Sequence, residues 1–315
     1  MAILVTGGAG FIGGHIVDAL LARGESVVCI DDLNDYYDRS IKQRTVENHQ
    51  KNPRYIFIHA DIRSREVLDK IFSQHKFSGI IHLAARAGVR PSIEQPQLYY
   101  ETNVLGTLHI LELAKEHGIK NVIVASSSSV YGNSGKTVLH EDLPTDHPVS
   151  PYAASKKAVE VLCYTYHNLY KLHITCLRFF TVYGPRGRPD MAPLLFMEAI
   201  ANDKPITVFG DGTTSRDYTF ISDIVQGVIA AYNKSHPFAI LNLGNSHPIT
   251  LNEFIHTLEE VIGKRATRIT KPLQQGDVEH TCADLTLSKK LVNYQPTTSL
   301  REGLQKTYDW YKEHK

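Results

Sequence analysis

The stretch Thr6-Gly-Gly-Ala-Gly-Phe-Ile-Gly13 decides the fold of this chain. It follows the apolar run Ala2–Thr6 and opens a segment in which Ile12, Ile16 and Leu20 form a helical stripe. Glycines at GxxGxxG spacing between a strand and a helix are typical of a dinucleotide-binding turn, because the backbone must approach a pyrophosphate closely. The helix N-terminus then offers unpaired N–H groups to the phosphates. We therefore predict that the pyrophosphate binds Gly7, Gly10, Phe11, Ile12 and Gly13.

Apolar runs continue along the first half of the chain and alternate with segments of helical periodicity. Most are rich in β-branched residues and almost continuously apolar, as in strands that are covered on both faces. This alternation predicts an α/β fold with a Rossmann-type, doubly wound parallel sheet. Beyond the first strand, the strand candidates are residues 26–30, 55–60, 79–84, 121–126 and 174–180.

The composition changes after Phe180. Residues 184–193 carry three prolines and two glycines and predict a loop. Further on, Thr250-Leu-Asn-Glu253 is a capping box that opens a helix through Ile262. We assign residues 1–180 to an NAD-binding domain and residues 181–315 mainly to a smaller C-terminal α/β substrate domain, with room for segments that return to the sheet.

Composition excludes several classes of protein. The 315 residues are 42% hydrophobic and 21% charged, so the chain can bury a core and is not disordered. Its 34 Lys and Arg balance 33 Asp and Glu, which argues against a nucleic-acid partner or an anionic membrane surface. No apolar run approaches the length of a membrane span. We expect a cytoplasmic protein.

The spacing of cysteine and histidine argues against bound metal and disulfides. The four cysteines lie far apart without a CxxC pair, so they suggest neither a disulfide framework nor a zinc site. The 16 histidines include no HxxxH or HExxH pair. We therefore expect no metal.

Acidic residues at the ends of the second and third strands predict the adenosine half of the cofactor site. A carboxylate about 20 residues past the glycines accepts hydrogen bonds from the ribose hydroxyls and repels a 2′-phosphate, which favours NAD over NADP. The alternative is that Asp31 caps a solvent loop. The predicted residues are Asp31, Asp32 and Asn34, and by the same position at a strand end Asp61 and Ile62.

Two features, one at the end of the fifth predicted strand and one after it, suggest proton transfer. Tyr152 and Lys156 stand four residues apart and project from one helix face. A nearby ammonium and the positive nicotinamide would lower the phenol pKa from about 10. The serines at positions 126–129 close the fifth strand, where one hydroxyl can share a substrate proton with Tyr152. The alternatives are plain helix surface for the pair and a flexible linker for the serines.

These motifs together resemble the extended short-chain dehydrogenase/reductases, NAD-dependent nucleotide-sugar enzymes, over essentially the whole chain. Four stretches are similar, more narrowly, to the UDP-glucuronate 4-epimerases. They are residues 31–38 (DDLNDYYD), 82–92 (HLAARAGVRPS), 178–191 (RFFTVYGPRGRPDM) and 216–219 (RDYT).

The resemblance implies roles for individual residues. Ser127, Tyr152 and Lys156 match the catalytic triad, and Arg216 matches an arginine that binds the diphosphate. Related hexose epimerases often carry a second arginine before the pair that matches Gly276-Asp277, whereas this chain has Gln274-Gln275 there. Positions that match the NAD lining are Leu83, Ala84, Ala85 and Thr102, and those that match the substrate pocket are Thr181, Val208, Phe209 (stacked on uracil) and Asp277.

The resemblance also implies a reaction. Tyr152, assisted by Ser127, takes the proton of the sugar 4′-OH while the C4′ hydride moves to NAD⁺; the 4-keto sugar turns and receives the hydride on its other face. Tightly bound NAD is thus regenerated in each cycle. Dehydratases resembling this chain place Asp-Glu where Ser128-Ser129 stand, and UDP-glucuronate decarboxylases usually carry Glu at Ser129. Without those carboxylates, epimerisation is favoured.

Oxidised glucuronate is a β-keto acid, so an epimerase must hold its carboxylate in an unproductive orientation. Ser128 and Ser129 can do so by hydrogen bonds, and the candidate cations are Arg90 and Arg188. We favour Arg188, which lies in the most subfamily-specific stretch, against the alternative of surface charges.

Three other functions stay open. One is a 4-epimerase of UDP-glucose or UDP-N-acetylglucosamine, another a UDP-glucuronate decarboxylase, and the third a non-enzymatic NAD-sensing protein on the same fold. The resemblance further implies a homodimer through the helices around residues 99–117 and 152–170, although burial within one subunit explains their apolar residues equally well.

Overall fold

The computed structural model describes residues 1–272 and 280–314, in which helices alternate with strands. The strands are β1 (Ala2–Thr6), β2 (Val27–Asp31), β3 (Tyr55–His59), β4 (Phe77–His82), β5 (Asn121–Ser127), β6 (His173–Phe179), β7 (Thr181–Tyr183), β8 (Ile206–Phe209), β9 (Ser215–Phe220), β10 (Phe238–Leu243), β11 (Pro248–Thr250) and β12 (Arg268–Lys271). The helices are α1 (Phe11–Ala22), α2 (Arg39–Gln50), α3 (Arg65–Gln74), α4 (Val89–Glu94), α5 (Pro96–Tyr99), α6 (Gly106–Glu116), α7 (Pro151–Tyr170), α8 (Ala192–Ala201), α9 (Ile221–Lys234), α10 (Leu251–Ile262), α11 (Thr286–Val292) and α12 (Leu300–His314).

Seven parallel strands form the central sheet in the order β10-β6-β5-β4-β1-β2-β3. The order reverses between β1 and β4, which creates a crevice at the carboxyl ends of these strands. The doubly wound fold is therefore confirmed. Each of the six strands of this sheet that the sequence predicted agrees with the structure to within two residues at either end.

Alternate residues of each strand pack on opposite faces of the sheet. Ile3 and Val5 of β1 belong to one buried cluster, which includes residues of α1, α8 and α9. Leu4, between them, belongs to a second cluster with residues of α3, α6 and α7. Because both faces are covered by helices, the strands read as nearly continuous apolar runs.

The second half of the chain adds smaller sheets and also returns to the large one. Strands β11, β9 and β7 form a three-stranded sheet, and β12 pairs with β8. The predicted capping box is present, since Thr250 and Glu253 each accept a hydrogen bond from the other's backbone N–H at the start of α10. Strand β10 pairs with β6 in the seven-stranded sheet. The domain division at residue 180 stays a prediction.

Two further observations concern the described residues. Cys29, Cys163, Cys176 and Cys282 are buried and free. Within residues 1–272 and 280–314, no helix combines the length and the apolar character needed to cross a bilayer.

The turn after β1 needs glycine at specific positions. Gly7 has a φ of +73°, and a Cβ there would lie 2.7 Å from the backbone nitrogen of Ala84. A Cβ on Gly13 would lie 2.1 Å from the carbonyl oxygen of Gly7 and 2.8 Å from Cα of Gly8. Since these neighbours are backbone atoms, they cannot move aside as a side chain can.

We expect Gly13→Ala to lower the Tm of the cofactor-free protein by about 3 °C or more, because the added methyl group overpacks the turn. Gly10→Ala is the matched control, since its Cβ would meet only the carbonyl oxygen of Gly7, at 3.3 Å. Differential scanning calorimetry of both variants measures the difference. Equal Tm values for the two would contradict the steric argument.

Candidate active site

A cavity opens at the carboxyl ends of β1, β2, β4 and β5, at the point where the strand order reverses. It brings together every residue that the sequence assigned to the cofactor. These are Gly7, Gly10, Phe11, Ile12, Gly13, Asp31, Asp32, Asn34, Asp61, Ile62, Leu83, Ala84, Ala85, Thr102, Tyr152 and Lys156. Arg188, assigned to the substrate, lines the same cavity.

The cavity also includes residues that the sequence analysis did not assign. Lys42 on α2 donates hydrogen bonds to the backbone oxygen and to Oδ1 of Asn34, at 3.1 and 3.0 Å, and lies 4.8 Å from the centre of the Tyr37 ring. A lysine in a polar helix carries no motif, so no sequence signal distinguished it. The other unassigned residues are Ile30, Tyr36, Tyr37, Ala60, Arg86, Ala87, Ala125, Ser126 and Phe179.

Asp31 ties the glycine turn to the end of β2. Its Oδ2 accepts a hydrogen bond from the backbone N–H of Ala9 at 3.1 Å, and its Oδ1 accepts one from Leu33 at 2.9 Å. Burial raises the pKa of this carboxyl, against the opposing effect of the Lys42 charge. Asp31 therefore orders the turn besides facing the cavity.

A π-helical stretch presents Thr102 to the cavity. Residues Tyr100–Leu105 form this stretch between α5 and α6, and such widened turns are frequent at functional sites. The hydroxyl of Thr102 is buried and has no hydrogen-bond partner among residues 1–272 and 280–314. A buried polar group of this kind requires a partner, and its place in the cavity fits a polar ligand. With the glycine turn, the residues present fit a dinucleotide.

A chain of buried hydrogen bonds supports that stretch. His82 at the end of β4 lies between the hydroxyls of Thr6, at 2.7 Å, and Thr107, at 2.9 Å. Thr107 in turn donates to the carbonyl oxygen of Asn103. Burial, reinforced by the charge of Lys156, lowers the pKa of His82 to about 3, so this imidazole is neutral and positions the cavity wall.

The proposed catalytic residues come together where α7 packs on the end of β5. Lys156 donates from Nζ to the carbonyl oxygen of Ala125 at 2.8 Å. The Ser127 hydroxyl donates to Oγ of Ser129 at 3.1 Å and lies near enough to Tyr152 to act on the pKa of its phenol. Burial lowers the pKa of Lys156 to about 8. Burial also raises the pKa of Tyr152, although Ser127 and the charge of Arg188 oppose it. The protein groups alone therefore do not lower this phenol pKa as expected, because desolvation outweighs them.

The two candidate cations occupy different places. Arg188 donates from Nε and Nη2 to Asp190 at 3.0 and 2.5 Å, and Nη2 also donates to the Tyr36 hydroxyl at 3.1 Å. Its charge acts on Tyr152, so it lies at the catalytic end of the cavity. The guanidinium of Arg90 lies 5.1 Å from the centre of the Phe209 ring, at the predicted uracil position.

Those of the other predicted substrate residues that the structure describes do not line this cavity. Ser127 is buried and its Oγ accepts from the backbone N–H of Ser129 at 3.1 Å; Ser128 and Ser129 are half-buried in the turn Ser128–Tyr131. Thr181 begins β7, Val208 packs in the core, and Arg216 on β9 donates to the carbonyl oxygen of Ser215 at 3.0 Å. Asp277, with Gln274-Gln275, lies outside the described residues.

The loop after β7 is fastened to the first half of the chain at a second point. Arg186, which has a φ of +58°, pairs with Asp18 on α1, and the other oxygen of Asp18 lies 2.6 Å from Nε2 of the buried His49 on α2. Burial would raise the pKa of Asp18, but His49 and Arg186 together lower it to about 2. The loop is therefore attached to the first half of the chain at Asp18 and at Tyr36.

Metal binding finds no support among the residues that the structure describes. Nowhere in these ranges do three or more His, Cys, Asp or Glu side chains group so that they could hold a metal ion.

Comparison with known proteins fits this geometry. A family model described as GDP-mannose 4,6 dehydratase matches residues 4–307. The chain belongs to the extended short-chain dehydrogenase/reductase family. A UDP-glucuronate 4-epimerase of Thermodesulfobacterium geofontis is 46% identical over 312 residues, which cover 99% of this chain and 96% of that protein.

Two solved structures are similar over 99% of both chains. The UDP-glucuronic acid 4-epimerase of Bacillus cereus, in complex with UDP-glucuronic acid and NAD, is 37% identical with a TM-score of 0.92. The UDP-glucose 4-epimerase of Thermotoga maritima, with UDP-glucose, is 32% identical with a TM-score of 0.90.

We expect Thr102→Val to weaken dinucleotide binding about 5- to 10-fold, the worth of one hydrogen bond. The same change should leave the cofactor-free protein equally stable or more stable. Valine has nearly the same volume as threonine, and it lacks the buried hydroxyl that has no partner among the described residues. Calorimetric titration with the cofactor and thermal unfolding without it measure the two effects. Unchanged affinity would show that this hydroxyl does not contact the ligand.

Proposed function

We propose that this chain is an NAD-dependent epimerase that interconverts UDP-glucuronate and UDP-galacturonate at C4. The observation that carries the proposal is the pocket itself: Tyr152 and Lys156 with a serine-only strand end, and Arg188 held beside them. The 46% identical relative and the Bacillus cereus complex support the same activity.

The residues of the cavity fit NAD, which when bound accepts the hydride from the sugar C4 and returns it to the opposite face. The glycine turn would hold the pyrophosphate, and Asp31 would face the adenosine ribose. Because Asp31 is already fixed by Ala9 and Leu33, its carboxylate is preorganised for the ribose hydroxyls.

Tyr152 and Ser127 move the proton of the sugar 4-hydroxyl. The Ser127 hydroxyl bonds the phenol and passes the proton between the sugar oxygen and Tyr152. The ammonium of Lys156 stabilises the phenolate, and the same pair returns the proton after the sugar has turned. No carboxylate stands in the serine run, so the pair that water elimination needs is missing there.

Arg188 and the hydroxyls of Ser128 and Ser129 are proposed to hold the C6 carboxylate. The guanidinium uses its Nε and Nη2 groups toward Asp190, which leaves the Nη1 end to meet a substrate carboxylate. A β-keto acid loses CO₂ when its carboxylate turns perpendicular to the ketone. A carboxylate that is held away from this orientation is therefore retained. Phe209, Thr181, Val208, Arg216 and Asp277 are proposed for the UDP moiety.

Several finer assignments belong to the same proposal. We infer a homodimer through α6 and α7, because Val161, Tyr164 and Leu169 on α7 are 55%, 56% and 60% exposed. Large apolar side chains exposed side by side mark an interaction surface. Four reduced, buried cysteines support a cytoplasmic location. The division into residues 1–180 and 181–315 is likewise part of the proposal.

The direct test is incubation of the purified protein with UDP-glucuronate and no added cofactor, followed by NMR of the products. We expect UDP-galacturonate, and none with Tyr152→Phe, which lacks the proton-carrying oxygen. UDP-xylose or a 4-keto pentose would instead show a decarboxylase. Turnover restricted to UDP-glucose or UDP-N-acetylglucosamine would move the assignment to a neutral-sugar epimerase, and no turnover at all would favour a non-enzymatic protein.

The role of Arg188 is tested by comparing two substrates. We expect Arg188→Ala to lower kcat/KM for UDP-glucuronate about 100-fold and kcat/KM for UDP-glucose less than about threefold. The reason is that the C6 carboxylate is present in glucuronate and absent from glucose. Arg90→Ala is the matched control, and its position on Phe209 predicts equal losses for both sugars. Equal losses in Arg188→Ala would remove its role in carboxylate binding.

A further inference from the structure

A buried ion pair lies directly behind the proposed catalytic residues. Glu160 follows Tyr152 and Lys156 at intervals of four residues, so all three project from one face of α7. Its partner is Arg178 on β6, and the two side chains are 1% and 2% exposed. None of the steps described above uses this pair.

The pair is fully hydrogen-bonded and fixes its neighbours. Arg178 donates from Nε to Oε1 and from Nη2 to Oε2 of Glu160, both at 2.8 Å. Ser126 donates its hydroxyl to Oε1 of the same carboxylate at 2.6 Å. The guanidinium also lies 4.7 Å from the centre of the ring of Tyr131, which ends the turn after the serine run. Breaking a buried pair of this kind is strongly unfavourable, so its geometry is firmly held.

These contacts set β5 in register with α7. Ala125 accepts a hydrogen bond from Lys156, and Ser126 donates one to Glu160. The next residue, Ser127, opposes the effect of burial on the pKa of the Tyr152 phenol. Three consecutive residues of the strand thus face three successive turns of the helix. Since Ser126 adjoins Ser127 in the chain, a displacement of Glu160 changes the distance between the Ser127 and Tyr152 hydroxyls.

Glu160 also supplies a negative charge beside a buried ammonium. His82 on β4 is neutral, and the pKa of the Cys176 thiol on β6 is raised well above its usual range by Cys163 and burial. Desolvation lowers the pKa of Lys156, and Cys163, Cys176 and Glu160 oppose it in that order. Of these three groups, Glu160 is the one that belongs to an ion pair. The titratable groups that act on Lys156 are Glu160 and Cys163 on α7, His82 on β4 and Cys176 on β6. Arg178 on β6 reaches this group through its ion pair with Glu160.

We propose that Glu160 is a positioning residue for the epimerase reaction, which holds Ser127 in register with Tyr152 and places a carboxylate one helical turn from Lys156. The proposal rests on the proposed function, in which an ammonium at Lys156 stabilises the Tyr152 phenolate. It assigns to the Glu160–Arg178 pair a role in catalysis besides its role in stability. The charge of Glu160 and the position of its carboxylate contribute separately to that role.

Two substitutions separate these contributions in the NAD-loaded enzyme. Glu160→Gln keeps the volume and a hydrogen-bond acceptor but removes the charge, whereas Glu160→Asp keeps the charge and withdraws it by one methylene. The titration of Lys156 is followed by NMR of ¹³Cε-lysine-labelled protein, with the Lys156 signal identified by its loss in Lys156→Met. The pH profile of kcat and the KM for UDP-glucuronate are measured in parallel.

We expect Glu160→Gln to lower the pKa of Lys156 by about one unit and to move the alkaline limb of kcat by the same amount. Glu160→Asp should leave both where they are in the unsubstituted enzyme, yet lower kcat about tenfold at every pH, because Ser127 is displaced. In both variants KM should stay within about twofold. Glu66→Gln on α3, which removes the exposed partner of Lys70, is the matched control and should change none of these quantities.

An unmoved Lys156 titration in Glu160→Gln would overturn the proposal. Should that variant fail to fold or retain NAD, Glu160→Met/Arg178→Met replaces the pair by apolar side chains. Because both charges leave together, this variant should lower kcat at every pH with little change in the Lys156 titration, and an unchanged kcat would overturn the positioning role. The NMR titration requires no turnover. A protein that does not epimerise UDP-glucuronate but shows the lowered Lys156 pKa would therefore refute the proposed function alone.

Discussion

The site depends on a contact between two backbones. The turn after β1 approaches the end of β4 so closely that even a methyl group on Gly7 would overlap the backbone of Ala84. This approach takes place where the strand order reverses, and it forms the floor of the cavity. Every group that could face a dinucleotide is arranged around that floor, so the glycine turn constrains the position of all the others.

Three of the cations that line the cavity are each held by a specific partner. Lys42 is fixed by Asn34, Arg188 by Asp190, and Lys156 by the carbonyl of Ala125. Three positive side chains suit a ligand rich in phosphates and carboxylates. Each partner offsets part of the free-energy cost of removing its cation from water, because a charge without a partner is far more costly to bury.

Much of the fold was predictable because its signals are local. Strands covered on both faces leave continuous apolar runs, and the capping box at Thr250 is a four-residue pattern. The acidic residues assigned to the adenosine followed from their positions at strand ends, which the sheet then brings together. Leu83, Ala84, Ala85 and Thr102, in contrast, were assigned from the family resemblance. These signals do not depend on contacts between distant parts of the chain.

The remaining features depend on such contacts. Lys42 faces the cavity only because α2 packs beside the acidic loop, and the π-helical stretch at Thr102 follows no sequence rule. The pKa of Tyr152 is governed by burial, which a spacing of four residues does not reveal. The place of Arg90 over Phe209 arises from segments more than a hundred residues apart.

The pairing of Arg186 with Asp18 has a consequence for the order of events during turnover. The loop that carries Arg188 is anchored at its other arginine to α1, the helix that follows the glycine turn. In the proposed reaction, a sugar that leaves Arg188 in order to rotate does not disturb this anchor. The contact that would be broken during rotation is therefore separate from the contact that fixes the loop, so the proposed keto sugar could change its face while the loop stays attached to α1.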